Sequence, residues 1–269
     1  MVHIRFMKVL ILCGGRGIQL FNESIYIPKG MVRLGHRPIL WHIMKRFALA
    51  GHTDFILALG GRGEMIRDYF LNYDRLANDT RVVLGSGCIE MLTQHQEDAW
   101  RITFVDTGEN ANSGARISRC RQYIMDNNFF VTYSDTLGDI DINGLVTFHR
   151  SSKKLLTLTG VIPPYREGEF FIDGKSVIGP YDAREDKQSK RQRLVNGGYM
   201  VADKKLFSWI TSFNECRLET DVFSRLIKEE QLNIYPHYGF WRWLDTDRDY
   251  LYLQELVDKN QTYWLRESG

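Results

Sequence analysis

The sequence predicts an α/β protein in which strands and helices alternate around a sheet with right-handed crossovers. Two observations near the N-terminus lead to this prediction. Residues 9–13 are continuously apolar, as expected for a strand buried on both faces of a parallel sheet, and Gly14-Gly15 ends the run. Residues 38–50 space their apolar side chains as one helix face requires, begin with proline and stop at Gly51, which is typical of a helix.

The rest of the chain continues this alternation. In the first half, strands are predicted at 54–59, 81–84, 101–105 and 129–133, and helices at 64–73 and 115–125. After about residue 150 the segments become shorter and richer in β-formers, with strands at 155–162, 170–172, 176–178 and 198–201 and helices at 221–230 and 247–260. Because no linker or repeat separates the halves, a single domain is predicted over residues 1–269, in which about 151–269 form a β-rich lobe beside about 1–150.

Composition argues against several classes of function. The 269 residues carry 35 Lys and Arg against 33 Asp and Glu, and a net charge of +2 gives no electrostatic reason to bind nucleic acid or an anionic membrane. No stretch approaches the roughly 20 apolar residues of a membrane span, and the N-terminus runs into a strand instead of a signal peptide, so a cytoplasmic protein is expected. The four cysteines contain no C-x-x-C pair, which disfavours a zinc site and a disulfide scaffold.

A glycine-rich turn follows the first predicted strand, over residues 12–20. Without side chains, successive backbone N–H groups of such a turn can approach a nucleotide phosphate or base edge, although a purely structural tight turn has the same sequence pattern. The turn is not a Walker A loop, because no Gly-Lys-Ser/Thr follows it, and it departs from the dinucleotide fingerprint G-x-G-x-x-G because Leu20 occupies the last glycine position. Shortly afterwards Lys29 stands between Pro28 and Gly30, where it could neutralise phosphate charge or simply lie at the surface.

Two aspartates end predicted strands, Asp135 after 129–133 and Asp245 after 240–244. Side chains at strand carboxyl ends point into the crevice of open α/β sheets, so this pair could clamp a Mg²⁺ that also takes phosphate oxygens. Alternatively both aspartates cap turns, with Asp245 and Thr246 starting the last helix. The basic segment 184–193 is either a mobile solvated loop or a lid that grips phosphate.

Several segments in order carry a family resemblance: residues 31–32 with 38–45, then 105–108, 132–135, 196–198, and 239–241 with 245–246 and 248–249. Through them the chain resembles the sugar-1-phosphate nucleotidyltransferases over nearly its whole length, and most closely the glucose-1-phosphate cytidylyltransferases. The resemblance implies a three-layer nucleotidyltransferase fold with a mixed, Rossmann-like central sheet and a β-rich acceptor-binding lobe. It also implies Mg²⁺-dependent transfer of a cytidylyl group from CTP to a sugar 1-phosphate.

The resemblance assigns roles residue by residue. Lys29 falls on the lysine that contacts the reacting phosphates, and Asp135 and Asp245 fall on the metal-binding pair. The nucleotide is expected at Leu12, Gly14, Gly15, Gly17, Gln19, Ser113, Gly114 and Tyr133, and the acceptor at Asn196, Gly197 and Arg184. No nucleic-acid or membrane partner is expected. The aromatic-rich segments 240–243 and 263–264 could bury against a second copy of the chain or lie in the core.

The chain departs from the family pattern at the predicted site. Ile18 and Gln19 replace a Thr-Arg pair, and Ile27 replaces the first lysine of Lys-Pro-Lys-Pro. Residues 182–184 stand where the pattern has Glu-Lys-Pro, and Ala115 replaces the second glycine of a pair. Three lost charge-assisted contacts, each worth about 1.5–3 kcal/mol, would make a poor enzyme unless something compensates. Two alternatives therefore stay open, a catalytically weak or inactive regulatory or assembly protein and a nucleotidyltransferase for a different phosphorylated acceptor.

Overall fold

The computed structural model describes residues 6–15, 17–20, 26–163, 170–173, 176–180 and 194–266, with the side chains of 170–180 left undescribed. The strands are β1 (Val9–Cys13), β2 (Arg33–Leu34), β3 (Arg37–Pro38), β4 (Asp54–Leu59), β5 (Thr80–Val83), β6 (Cys88–Met91), β7 (Arg101–Asp106), β8 (Asn128–Tyr133), β9 (Thr136–Gly138), β10 (Leu156–Val161), β11 (Phe170–Asp173), β12 (Ser176–Pro180), β13 (Val195–Asp203), β14 (Leu232–His237) and β15 (Trp241–Trp243). The helices are α1 (Ile39–Leu49), α2 (Gly63–Leu71), α3 (Tyr73–Ala77), α4 (Ser113–Arg119), α5 (Ile142–Ser152), α6 (Phe223–Lys228) and α7 (Asp247–Asp258).

A mixed seven-stranded sheet forms the centre, in the order β14-β10-β13-β8-β1-β4-β7. The pairs β8–β1, β1–β4, β4–β7 and β10–β14 are parallel, whereas β13 runs antiparallel to both of its neighbours, β8 and β10. Strands from both halves of the chain therefore share one sheet. Because β1 and β8 are parallel neighbours, the loops that follow their carboxyl ends lie side by side.

Helices cover both faces of the sheet and make the fold three-layered. Alternate residues of β1 point into two separate cores, as the period of a strand requires. On one face α1, α2, α5 and α7 contribute to the core that contains Val9 and Ile11, and on the other α4 and α6 contribute to the core that contains Leu10 and Leu12. The predicted α/β class, mixed central sheet and three layers are confirmed.

Most predicted elements are present, and two need correction. The strand predicted at 81–84 lies in β5, which pairs with β6 in a fully exposed hairpin outside the central sheet. Its apolar run resembled a buried strand, but local pattern does not say which strand a segment pairs with. The helix predicted at 115–125 ends at Arg119, after which a 3-10 turn at Arg121–Tyr123 carries Ile124 into the core.

The remaining features bear on surface and chemistry. Among the described residues, no helix is long and apolar enough to cross a membrane. All four cysteines are free thiols, with Cys13 and Cys120 buried and Cys88 exposed.

Candidate active site

The glycine turn after β1 is held by a buried arginine from α4. Arg116 is only 3% exposed, and a Cβ added to Gly14 would lie 1.9 Å from its guanidinium carbon. The guanidinium donates to the carbonyls of Leu59 (3.1 Å), Gly108 (2.9 Å) and Glu109 (3.0 Å), and to Thr107 Oγ1 (2.7 Å). Gly14 is therefore required because the arginine that joins the ends of β4 and β7 passes directly against its backbone.

The end of the same turn is tied to the segment that carries Lys29. Ile18 and Ile27 form an antiparallel β-bridge, with Ile18 N–H donating to the Ile27 carbonyl at 2.8 Å and Ile27 N–H donating back at 3.1 Å. Gly17 stands beside this bridge with φ +79°, and a Cβ there would lie 2.5 Å from the Ile27 carbonyl oxygen. Only glycine meets both conditions without strain.

Lys29 joins the two strand-end aspartates. It begins the 3-10 turn Lys29–Met31, and its ammonium donates to Asp135 Oδ2 at 3.0 Å and also to Asp245 Oδ1. The backbone supports this convergence, because the Leu244 N–H donates to the Asp135 carbonyl at 2.9 Å and brings the β15 end beside the β8 end. Both carboxylates thus point toward one cation position.

The electrostatics of this trio follow from partial burial. Burial lowers the pKa of Lys29, but Asp135 and Asp245 outweigh it, so the pKa of the ammonium is raised above its ordinary value. Burial raises the pKa of Asp135 against the opposing effect of Lys29. Lys29 therefore stays charged near neutral pH.

Asp245 does not cap the last helix. Thr246 is the N-cap of α7, and its hydroxyl and the Asp249 side chain form a reciprocal capping box. This arrangement leaves the Asp245 carboxylate for Lys29. The alternative of a turn-capping Asp245 is thus wrong for the side chain, although its N–H does donate to Asp249 at 3.1 Å.

A cavity of about 410 Å³ opens beside this trio. Cys13 lies in its wall, but burial raises the pKa of the thiol, which stays protonated and unreactive near neutral pH. The lining residues come from the glycine turn, the Lys29 turn, α4 and the loop before it, the β8 end and the helical turn Leu218–Val222: Leu12, Cys13, Gly14, Gly15, Gly17, Pro28, Lys29, Ala111, Asn112, Ser113, Arg116, Tyr133, Ser134, Asp135 and Glu219.

The chain matches a known protein family over more than half of its length. The sequence profile of the nucleotidyl transferase family matches residues 8–171. The chain belongs to the nucleotidyl transferase family. It is 33% identical to a probable glucose-1-phosphate cytidylyltransferase of Bacillus subtilis, over 96% of this chain and 99% of the relative. It is 34% identical to the glucose-1-phosphate cytidylyltransferase of Salmonella typhi, over 96% and 98%.

Solved structures agree on the fold. HddC from Yersinia pseudotuberculosis superposes with a TM-score of 0.65 at 19% identity, over 94% of this chain and all of that one. The fold of this nucleotidyltransferase is therefore the one that the sequence resemblance implies. Family membership makes the protein an enzyme of nucleotidyl transfer, and its cytidylyltransferase relatives support a sugar 1-phosphate as acceptor.

The nucleotidyltransferase brings most of its predicted site residues to the cavity wall: Leu12, Gly14, Gly15, Gly17, Lys29, Ser113, Tyr133 and Asp135. Others lie around it. Gln19 is exposed and outside the lining, and Gly114 faces Cys216, whose sulfur a Cβ there would meet at 2.6 Å. Arg184 lies outside the described residues.

Of the predicted acceptor residues, the structure describes Asn196 and Gly197. Asn196 donates to the Tyr133 hydroxyl at 3.2 Å, and the Gly197 carbonyl accepts from Trp241 Nε1 at 2.8 Å. Neither residue is in the cavity wall. The Tyr133 hydroxyl therefore links Asn196 to the cavity wall.

Glu219 and Arg116 are the lining residues whose roles sequence reasoning missed. The Glu219 carboxylate accepts from the hydroxyls of Tyr133 and Ser113, the latter at 2.6 Å, and so links the β8 end to α4. Burial, followed by the nearby Glu219 charge, raises the pKa of Tyr133 and keeps its hydroxyl a donor. Arg116 directly follows Ser113, Gly114 and Ala115, where the resemblance already implied nucleotide contacts, whereas no motif marks Glu219.

The donor set fits a magnesium ion. Two carboxylates converge on one position, now taken by the Lys29 ammonium, and Mg²⁺ is usually held by one or two carboxylates together with substrate phosphates. No group of three or more metal-binding side chains occurs within the described part of the chain. The protein's own contribution to such a site would thus be Asp135 and Asp245.

Proposed function

We propose that this nucleotidyltransferase transfers a cytidylyl group from CTP to glucose 1-phosphate or a related sugar 1-phosphate, releasing pyrophosphate and a CDP-sugar. The choice of CTP and of the acceptor follows the two glucose-1-phosphate cytidylyltransferases that match this chain over nearly their full lengths. We further propose that about 1–150 bind the nucleotide and about 151–269 the acceptor.

The convergence of Lys29, Asp135 and Asp245 beside the cavity carries the proposal. A reaction between two phosphate groups needs positive charge and metal-binding oxygens at one place, and little else from the protein. In a turn or surface role, none of these three side chains would need to meet the others.

The reaction is an in-line displacement. A phosphate oxygen of the sugar 1-phosphate attacks the α-phosphorus of CTP, the new P–O bond forms, and the bond to the pyrophosphate oxygen breaks. The attacking phosphate needs no general base, because its second pKa near 6 leaves it largely ionised at neutral pH. No covalent enzyme intermediate is required, so catalysis consists of positioning and charge neutralisation.

The chain's own residues divide this work. The backbone of Gly14, Gly15 and Gly17 approaches the nucleotide closely, and Lys29 donates to the reacting phosphates. Asn196, which contacts Tyr133, and the neighbouring Gly197 orient the acceptor. Bound Mg²⁺ supplies further neutralisation of phosphate charge, and Asp135 and Asp245 would hold it.

The test is pyrophosphate release by the purified protein with Mg²⁺, each of the four ribonucleoside triphosphates and a panel of sugar 1-phosphates. We expect release with CTP and one acceptor, and a loss of at least about 100-fold in Asp135→Asn. Asp98→Asn, at an exposed carboxylate outside the cavity, is the matched control and should stay active.

Two other outcomes would change the assignment. Turnover with CTP and only an unrelated phosphorylated acceptor would favour the different-acceptor alternative. Nucleotide binding without release for any pair, or full activity in Asp135→Asn, would contradict the proposed mechanism.

A further inference from the structure

Two of the departures from the family pattern lie opposite each other. Ile18 stands at a threonine position of the pattern and Ile27 at a lysine position, and the structure pairs them in one β-bridge with both backbone hydrogen bonds made. Residues paired in this way place their side chains on the same face, close enough to contact. The two substitutions therefore form a single local unit.

The pair is also part of the core. Ile18 is 7% exposed and belongs to the core cluster under α1, and the half-buried Ile27 packs against the same cluster. Both side chains are β-branched, so they lose little rotamer freedom when fixed in an extended bridge. The threonine and lysine of the family pattern could not form this buried apolar contact.

The bridge lies where it can order the nucleotide site. On one side it adjoins Gly17, a residue of the cavity wall, and on the other it immediately precedes Pro28 and Lys29. Within the described part of the chain, this bridge therefore fastens the backbone of the glycine turn to that of the Lys29 turn.

We propose that Ile18 and Ile27 form an apolar clasp that holds the glycine turn and Lys29 in their nucleotide-binding arrangement before the nucleotide arrives. The inference rests on the proposed nucleotide site. A loop that is already ordered pays less conformational entropy on binding, and such preorganisation increases affinity without a new ligand contact. The clasp thereby offsets part of the affinity lost with the charged groups of the family pattern.

The experiment is a double-mutant cycle on Ile18→Ala, Ile27→Ala and the double variant. Calorimetry measures the CTP dissociation constant with Mg²⁺ and no acceptor, and hydrogen exchange measures protection of the Ile18 and Ile27 amides in the ligand-free protein. Each single variant should lose amide protection and bind CTP about tenfold more weakly, the factor that corresponds to ordering roughly one residue's backbone. Since either truncation opens the clasp, the double variant should bind no more weakly than a single one.

Kinetics and controls separate positioning from general destabilisation. The clasp variants should lose binding energy equally in the ground state and the transition state, so their KM for CTP should rise while kcat stays unchanged. Ile27→Val keeps the clasp and should behave as wild type. Ile142→Ala truncates a buried isoleucine of α5 outside the cavity, and should lower the melting temperature without weakening CTP binding.

Additive losses in the double variant would overturn the clasp, because the two residues would then act separately. An unchanged dissociation constant despite lost amide protection would overturn it too, as would an equal weakening in Ile142→Ala. Failure of the wild-type protein to bind any nucleotide would contradict the proposed function. Free exchange of the Ile18 and Ile27 amides in the ligand-free wild-type protein would overturn the clasp, whether or not a nucleotide binds.

Discussion

Lowering the pH from about 8 to about 5.5 is expected to destabilise the folded protein through three buried histidines, His42, His52 and His149, which are 5%, 1% and 3% exposed. The structure fixes His42 as a neutral ring. Its Nδ1 accepts from Trp264 Nε1 at 3.2 Å and its Nε2 donates to the Leu34 carbonyl at 3.1 Å. Protonation of Nδ1 would therefore break the Trp264 hydrogen bond and place a charge in the core.

The magnitude follows from the pKa shifts. Burial lowers the pKa of each of the three histidines from 6.5 to about 4. Below pH 6.5 these histidines become protonated in the unfolded chain but stay neutral in the folded protein. The stability present above that pH is therefore lost progressively as the pH falls toward 4. At pH 5.5 each histidine should cost about 1.4 kcal/mol and the three together about 4 kcal/mol, a large share of a typical unfolding free energy of about 5–15 kcal/mol.

The assay is urea unfolding at about pH 8 and about pH 5.5 for wild type and His42→Gln. Removing one titrating ring should shrink the pH-dependent loss of stability by about 1.4 kcal/mol, whatever the other groups contribute. His36→Gln, at an exposed histidine, is the matched control and should leave the loss unchanged. Equal losses in wild type and His42→Gln would refute the account of a buried neutral ring.

Three further predictions concern the site. Lys29→Met should lower kcat/KM for CTP about 100- to 1000-fold. Lys8→Met removes a lysine that pairs with Asp54 outside the cavity and should leave kcat/KM unchanged. Equal kinetics in the two variants would contradict the role of Lys29. Gly17→Ala should lower the melting temperature more than Gly15→Ala, because only the Gly17 Cβ meets a backbone oxygen, and the reverse order would count against the clash. Arg116→Lys should lower the free energy of unfolding in urea by about 3 kcal/mol, because a lysine ammonium cannot reach all four oxygens that accept from the guanidinium. A loss below about 1 kcal/mol would contradict this prediction.

The parts of the candidate site that short sequence motifs mark could be predicted from the sequence. The glycine turn, Lys29 and the two strand-end aspartates each have a short signature, because tight turns need glycine and strand ends expose polar groups. The cavity wall contains most of these residues. Glu219 was missed because the sequence around it carries no local pattern, and its role arises only from the hydroxyls that reach it.

The sequence by itself determined the α/β alternation, the buried parallel strands and the turn residues, since periodicity and backbone conformation depend on neighbours in the chain. Only the tertiary structure decided which of them meet. Lys29 contacts aspartates 106 and 216 residues away, and the β5–β6 hairpin leaves the sheet although its residues suit a buried strand. Such contacts depend on how whole elements pack against the cores, and no short stretch of sequence encodes that packing.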